Sequence, residues 1–436
     1  MKKTYKTCKD LEHSLYVAPN EIRSCCQRFF YEGKMRGDAK LIPIRENITP
    51  TSSDLINARK KLFDEIQEDK NEDCKGCPFL TETDKKPEFT SNVSHLSIEH
   101  HSVCNLRCSY CSETYWGGKR SKYNVVEFIS YLSKSKSLNN CDQVVWGGGE
   151  PTLDKSFEEI LEEIHNHANP KTYHRVFTNA VRYSDPVSKF LKKGLIKITT
   201  SIDAGTEETF KKVRGRPRFK NVFENLKKYS DVDPTKVTIK YILTNENCDE
   251  KNLDEFVKNC IKYKLDDCAY QISVNFKYDE LKLDHLKKII YLMFKLKDAN
   301  INKFFCDDHI AARFKKLDKN DRDGIIKFID ENSYESVCLN FNNKIKNINI
   351  YGVGDIALNF LEKTNLMDSF EEINLFDGDP KKIGMKIKDI KIRNPNEVKN
   401  NDYRIYISTA QSFDDIYQNL IKMSVNKQRL ISGLFI

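Results

Sequence analysis

The sequence predicts an α/β protein: a partial (β/α)6 barrel, preceded by a cysteine-rich segment and followed by a separate αβ unit. Three observations carry this. Strand and helix signals alternate from about residue 93 to 276. Cysteines crowd the first 111 residues. A second, glycine-marked αβ pattern opens near Asn347. The expected boundaries are a cysteine-rich module over 1–90, a barrel over 93–300, a helical linker over 301–345 and a final αβ domain over 346–436.

The barrel elements follow in order. His95 to Glu99 reads as the first strand. Asn124 caps a helix with Glu127 three residues on and Val125, Phe128, Ile129 and Leu132 on one face. Gln143 to Trp146 is a second strand. Ser156 and Glu159 form a further capping-box pair before Phe157, Ile160, Leu161 and Ile164. Arg175 to Thr178 is the third strand. Asp185-Pro186 opens the next helix and Gly194 closes it. Strands over 196–202, 237–243 and 270–276, with helices near Phe219 and Leu253, complete six units. Such alternation predicts a parallel sheet with helices outside, which curls into a partial TIM barrel, and sites on such sheets form at the C-terminal ends of the strands.

The chain has 436 residues, 39% hydrophobic and 31% charged, which is a globular composition. No apolar run approaches bilayer length, and basic residues after Met1 are not followed by an apolar stretch, so no membrane partner and a cytoplasmic location are expected. Fourteen cysteines in a reducing compartment point to metal or cluster ligation rather than disulfides. A net charge of +8 permits an anionic substrate without arguing for nucleic acid, and no nucleic-acid module is visible. Lys211, Lys212, Arg214, Arg216, Arg218 and Lys220 form a basic turn, either a solvated connection or an anion site.

Directly after the first strand stand Cys104, Cys108 and Cys111, spaced C-x3-C-x2-C. Three thiolates in one loop hold three irons of a [4Fe–4S] cube and leave the fourth open; a zinc knuckle, or part of a closed electron-transfer cluster, is the other reading of the spacing. The second strand ends in Gly147-Gly148-Gly149-Glu150-Pro151, where glycines let a ligand approach the backbone. Thr178-Asn179 ends the third strand and Ser201-Ile-Asp203 the fourth, with Arg214 following.

This combination resembles the radical S-adenosylmethionine (SAM) enzymes over residues 93–276. The resemblance implies that Cys104, Cys108 and Cys111 ligate the cluster. SAM would chelate the open iron, its amino group received by Gly148, Gly149 and Glu150. Tyr110 would lie near the adenine. Ser201, Arg214 and Asn179 are candidates for ribose and carboxylate, a guanidinium suiting the latter. The implied chemistry is reductive cleavage of SAM to a 5′-deoxyadenosyl radical that takes hydrogen from a substrate, with a flavodoxin or ferredoxin as donor.

Upstream, Cys8, Cys25-Cys26 and Cys74-Lys-Gly-Cys77 form a second metal-site pattern, zinc or iron–sulfur. It resembles the auxiliary-cluster (twitch or SPASM-like) modules of some radical SAM enzymes, with Cys74 and Cys77 as ligands completed by Cys8 and one or both of Cys25 and Cys26 around an auxiliary [4Fe–4S] cluster. Cys141, Cys248, Cys260, Cys268, Cys306 and Cys338 have no such grouping and read as core or surface thiols. His100 and His101 read as packing or hydrogen-bonding residues.

In the last unit, Gly352-Val-Gly354-Asp-Ile-Ala357 follows a strand and Asp377 lies 23 positions after Gly354. That spacing fits a Rossmann-type nucleotide or nucleotide-sugar site with Asp377 on a ribose hydroxyl. It also resembles small Rossmann-like domains attached to enzymes of surface-sugar biosynthesis. The expected substrate is therefore a sugar, nucleotide-sugar or similar small polar molecule, oxidised or epimerised in surface-glycan or natural-product biosynthesis. The alternatives are maturation of a ribosomally made peptide, and a non-catalytic iron–sulfur or zinc protein.

Overall fold

Alternation along the strands decides which side of each sheet is apolar. The computed structural model describes residues 4–46, 48–275, 277, 282–307, 310, 317–339, 344–354, 357, 361, 369–409 and 412–435. The chain divides into two units, Met1–Thr199 and Thr200–Ile436. The division falls inside a strand rather than near residue 90, 300 or 345.

The first unit is built on strands β1 (Ser14–Val17), β2 (Glu21–Arg23), β3 (Lys40–Pro43), β4 (His95–Ile98), β5 (Gln143–Trp146), β6 (Tyr173–Phe177) and the start of β7 (Ile196–Ser201). β1, β4, β5, β6 and β7 run parallel, and β2 and β3 continue the edge antiparallel. β1 was not expected: a strand from the cysteine-rich segment pairs with β4, some eighty residues later. Its neighbour in the core, Arg59, is fully buried and donates to the carbonyls of Thr90 (2.6 Å), Asn92 (3.0 Å) and Ser14 (3.1 Å). Burial lowers its pKa to about 10, and the three carbonyls account for a buried cation that no carboxylate matches.

In register across the sheet lie Val17, Ile98, Trp146, Val176 and Ile198, all buried. The adjacent row is Tyr16, Ser97, Val145, Arg175 and Lys197. One face is thus apolar and the other largely polar, the outside–inside pattern of a barrel wall. The apolar face meets helices. Trp146 packs edge-on to Phe157 of α3 (Phe157–His167) at 4.9 Å. In α2 (Val125–Lys134), Phe128, Ile129 and Leu132 are fully buried, each contributing about 1.5–3 kcal/mol. Asn124 caps α2 by accepting from the Glu127 N–H, as the sequence predicts. Ser156 precedes α3 without a side-chain cap bond, so the second capping box does not form. Two further helices are α1 (Ser52–Gln67), with a reciprocal Thr51–Asp54 capping box, and α4 (Asp185–Lys192), which Ser184 caps.

The second unit continues with α5 (Glu207–Arg214), α6 (Phe219–Val232), β8 (Val237–Leu243), α7 (Glu250–Lys262), β9 (Ala269–Val274), α8 (Leu283–Asp298) and β10 (Phe304–Cys306). β8, β9 and β10 are parallel. β10 corrects the expected linker, which opens with a strand before α9 (Lys319–Asn332). A second sheet follows, from β11 (Asn347–Tyr351), β12 (Glu372–Phe376), β13 (Lys386–Ile387), β14 (Ile390–Arg393), β15 (Arg404–Ile407) and β16 (Leu430–Ile431), in the order β13-β14-β12-β11-β15-β16. Only the β13–β14 hairpin is antiparallel among its pairings. β11 lies between β12 and β15, so the strand order reverses there, the place where doubly wound sheets bind ligands. Most of the helix expected after Gly354 lies outside the described residues. α10 (Phe413–Lys422) packs against β15.

Candidate metal centres and cofactor site

The loop with Cys104, Cys108 and Cys111 leaves the C-terminal end of β4, and the glycine run leaves the same end of β5. The two are laced together. Gly147 N–H donates to Ile98 O (3.1 Å), Gly149 to His101 O (2.9 Å) and Glu150 to Val103 O (2.8 Å). A Cβ on Gly149 would sit 2.2 Å from the Val103 carbonyl oxygen, and one on Gly148, at φ +86°, 2.8 Å from that of His101. Gly148 and Gly149 are therefore required where backbone meets backbone.

Glu150 is buried, and its carboxylate ties three segments. Oε1 accepts from Thr178 Oγ1 (2.8 Å) and Thr152 Oγ1 (2.6 Å), and Oε2 from the Asn179 N–H (2.6 Å). Burial raises its pKa against these bonds. Asn179 then reaches the cysteine loop: Nδ2 donates to Asn105 Oδ1 (2.6 Å) and lies 3.7 Å from Cys104 Sγ, which also accepts from the Leu106 N–H (3.5 Å). Donors aimed at a sulfur favour its thiolate, the form that ligates iron. Three thiols in one loop, one held by two N–H donors, fit the [4Fe–4S] cluster with an open iron. Tyr110 sits between Cys108 and Cys111, half-buried.

The structure brings together Cys104, Cys108, Cys111, Gly148, Gly149, Glu150 and Asn179. Ser201 and Arg214 belong to the second unit. There the Arg214 guanidinium lies 2.8 Å from Asp203 Oδ2, both side chains buried, while Asp203 Oδ1 accepts from the Ile242 N–H (2.7 Å). A residue expected to meet a ligand carboxylate thus already holds a protein carboxylate, and its reach is set by Asp203, which sits at φ +58°.

Sequence reading missed Glu99. It directly follows β4, faces away from the buried side chains of Leu96 and Ile98 and accepts a hydrogen bond from Tyr16 of β1. Burial raises the Glu99 pKa, against the Tyr16 bond and the Arg28 charge. Arg28, which bonds Tyr115 and Asp38 (2.9 Å), completes a charged cluster beside the glycine run. The available signal was the alternation itself: a carboxylate on the non-core side of a strand, five residues before the first loop cysteine.

His100, His101 and Asp154 place ligand atoms within 4.8 Å of one another. His100 Nε2 pairs with Asp154 Oδ2 at 2.8 Å. His101 Nδ1 accepts from the Val103 N–H (3.1 Å), and burial and His100 lower its pKa to about 4. An accepting Nδ1 in a neutral ring leaves the proton on Nε2, and the Val103 bond makes His101 a brace of the cysteine loop.

The upstream set resolves into four. Cys8, Cys25, Cys74 and Cys77 line one cavity with Leu11, Ala39, Leu62 and Ile66, whereas Cys26 does not line it, is exposed, and lies in the field of Glu99. The alternative of Cys26 as a ligand beside Cys25 thus has no geometric support. Burial pushes the Cys8 thiol up to about 12, opposed by the Leu11 N–H at 3.4 Å. N–H groups of Ala39 and Gln27 favour the Cys25 thiolate, and those of Phe79 and Leu80 the Cys77 thiolate. Four thiols in an apolar pocket with backbone donors fit a closed cluster or zinc. Of the other cysteines, Cys141, Cys260, Cys268 and Cys338 are buried; Cys248 and Cys306 are partly so.

In the C-terminal sheet, Gly352 takes φ +91° against Thr409. Asp377 Oδ2 accepts from the Val353 N–H (2.8 Å) and Lys382 Nζ (3.2 Å), and Oδ1 from the Asp379 N–H (2.8 Å). The expected ribose ligand is therefore clamping its own glycine loop. Asp355 and Ile356 of that motif lie outside the described residues.

A thiolate loop at a strand end, braced by the next two strand ends, defines a cluster-binding α/β domain. Residues 98–257 match the model of the Radical SAM superfamily, and this region of the chain is a radical SAM domain. The superfamily uses a [4Fe–4S] cluster and SAM. The chain is similar to GTP 3',8-cyclase of Haemophilus influenzae, 26% identical over 171 residues, which is 39% of this chain and 50% of that protein. It is likewise similar to a probable GTP 3',8-cyclase of Methanocaldococcus jannaschii, 25% identical over 175 residues, 40% of this chain and 57% of that one. The chain thus spans about half the length of the curated relatives it matches. Streptococcus suis SuiB bound to precursor peptide SuiA aligns with a TM-score of 0.42 at 16% identity, covering 61% of this chain and 66% of that one. No helix among the described residues is long and apolar enough to cross a membrane.

Proposed function

We propose that the protein is a radical SAM enzyme acting on a small polar substrate of the nucleotide or nucleotide-sugar class, with oxidation of an alcohol carbon or epimerisation as net outcome. The observation that carries the reading is the Cys104–Cys108–Cys111 loop at the end of β4, with Asn179 and Leu106 donating to Cys104. These three thiolates would hold the cluster. With cluster and SAM bound, the site supplies a 5′-deoxyadenosyl radical that removes a substrate hydrogen atom. Gly148, Gly149 and Glu150 would receive the SAM amino group, and Tyr110 would flank the adenine. Ser201 and Arg214 would serve ribose and carboxylate, Asp203 orienting the guanidinium.

Cys8, Cys25, Cys74 and Cys77 would hold a second [4Fe–4S] cluster, an electron acceptor suited to an oxidation. The polar row of Tyr16, Arg175 and Lys197, with Glu99 above it, supports a polar substrate over an apolar one. The named activity of the relatives, on GTP, supports a nucleotide over a peptide. Gly352 at the strand-order reversal of the last sheet would approach a nucleotide or nucleotide-sugar. A flavodoxin or ferredoxin would supply the electron.

The test is anaerobic reconstitution, then 5′-deoxyadenosine formation under dithionite with panels of nucleotides, nucleotide-sugars and candidate precursor peptides. Substrate-dependent turnover with a nucleotide or nucleotide-sugar is expected. Turnover confined to a peptide moves the protein to peptide maturation, and no SAM cleavage at all ends the enzyme reading.

A further inference from the structure

The second unit contains a cleft of about 700 Å³ where β8, β9 and β10 begin, closed on its other side by the start of β15 and the segment before β16. It lies at the opposite end of β8 from Ile242, whose N–H meets Asp203. From Val237, where β8 begins, to Ile242 is five residue steps of strand, roughly 17 Å. The cleft is therefore distinct from the Arg214 region and takes no part in the function proposed above.

Its charges are unevenly matched. Lys303, buried in one wall, pairs with Asp414 at 3.2 Å. Lys297 and Arg404, also lining the cleft, make no ion pair with a carboxylate among the described residues: Lys297 Nζ donates to the Ser336 carbonyl and the Arg404 guanidinium to the Gln428 carbonyl. The two lie close enough that Arg404, after burial, lowers the Lys297 pKa. Lys427 lines the same wall, and Asp266 and Asp267 line the cleft where β9 begins. Lys303, packed in the wall, is matched by a carboxylate, whereas Lys297 and Arg404 each meet a carbonyl. Holding like charges together disfavours the empty site, and an anion between them reverses that. Guanidinium and ammonium groups on separate segments suit the several oxygens of a diphosphate, and the volume is that of a small-molecule site.

We propose that this cleft binds a diphosphate-bearing small molecule, its phosphates between Lys297, Arg404 and Lys427 and its hydroxyl-bearing part toward Asp266 and Asp267. The test is calorimetric titration of the reconstituted full chain with inorganic pyrophosphate. One saturable site is expected, weakening as salt rises and weakened about tenfold or more in Arg404→Gln and in Lys297→Gln, against no change in Lys193→Gln, a surface control. Arg404 is exposed, so its variant reports even where Lys297→Gln fails to fold. SAM cleavage should persist in both variants, which separates this site from the radical one. No saturable binding at millimolar pyrophosphate, or binding that survives Arg404→Gln unchanged, overturns the proposal.

Discussion

The two cysteine sites of the first unit solve opposite problems. The three-thiol loop is local: Cys104, Cys108 and Cys111 fall within eight residues, and Asn179 and Glu150 brace it from neighbouring strand ends. The four-thiol pocket is assembled from three distant segments and walled by Leu11, Ala39, Leu62 and Ile66. Three thiols leave a cluster one open iron for chemistry; four close it, which suits electron storage or structure. A local loop is written by spacing, whereas a pocket of distant thiols exists only if the module folds.

The largest expected effect breaks the first site alone. Cys104→Ala should abolish 5′-deoxyadenosine formation and lower bound iron from about eight per chain to about four, measured after reconstitution. Cys74→Ala should remove the other four irons; if iron instead stays at about four in both wild type and variant, the upstream pocket holds zinc. Cys26→Ala should leave the iron count unchanged. Loss of iron there would restore Cys26 as a ligand and contradict the assignment of Cys25.

Gly149→Ala should destabilise the brace. Its Cβ would meet the Val103 carbonyl at 2.2 Å, and a loss of about 1–3 kcal/mol or more in chemical denaturation is expected. Cys77 and its neighbours should be unaffected by it, as read by iron retained in a Cys104→Ala background.

A smaller effect is acid sensitivity. Burial lowers the pKa values of His101 and His174 to about 4, with His100 and His165 acting in the same direction. The unfolded chain then binds more protons than the folded one between the ordinary value of 6.5 and about 4. Stability should therefore be full above about pH 6.5 and fall as pH drops toward 4, by up to about 3 kcal/mol for each group. His174 Nδ1 accepts from the Trp146 indole N–H at 3.3 Å, so protonation sets donor against donor. His174→Gln should flatten the pH slope of the denaturation midpoint; an unchanged slope would remove His174 from the account.

Much of the fold was legible because its signals are short-range. The strand Gln143–Trp146, the helix opened by Asp185-Pro186 and the strand Asn347–Tyr351 lie where the sequence places them, since periodicity and caps act within a few residues. The cysteine loop was legible for the same reason. Pairings across long separations were not. Nothing near Ser14–Val17 announces that it will lie beside His95–Ile98, and with that pairing came the Tyr16–Glu99 bond. Whether Cys25 or Cys26 enters the pocket, whether Arg214 meets Asp203, and whether Asp377 holds a sugar or its own loop depend on side-chain direction in the folded chain. Composition and spacing alone determined that the protein is α/β and pointed to two groups of cysteines as candidate metal sites. Tertiary structure alone decided which partners those thiolates, carboxylates and guanidinium groups find, because burial makes each unpaired polar group costly and so selects its partner only after the backbone has closed around it.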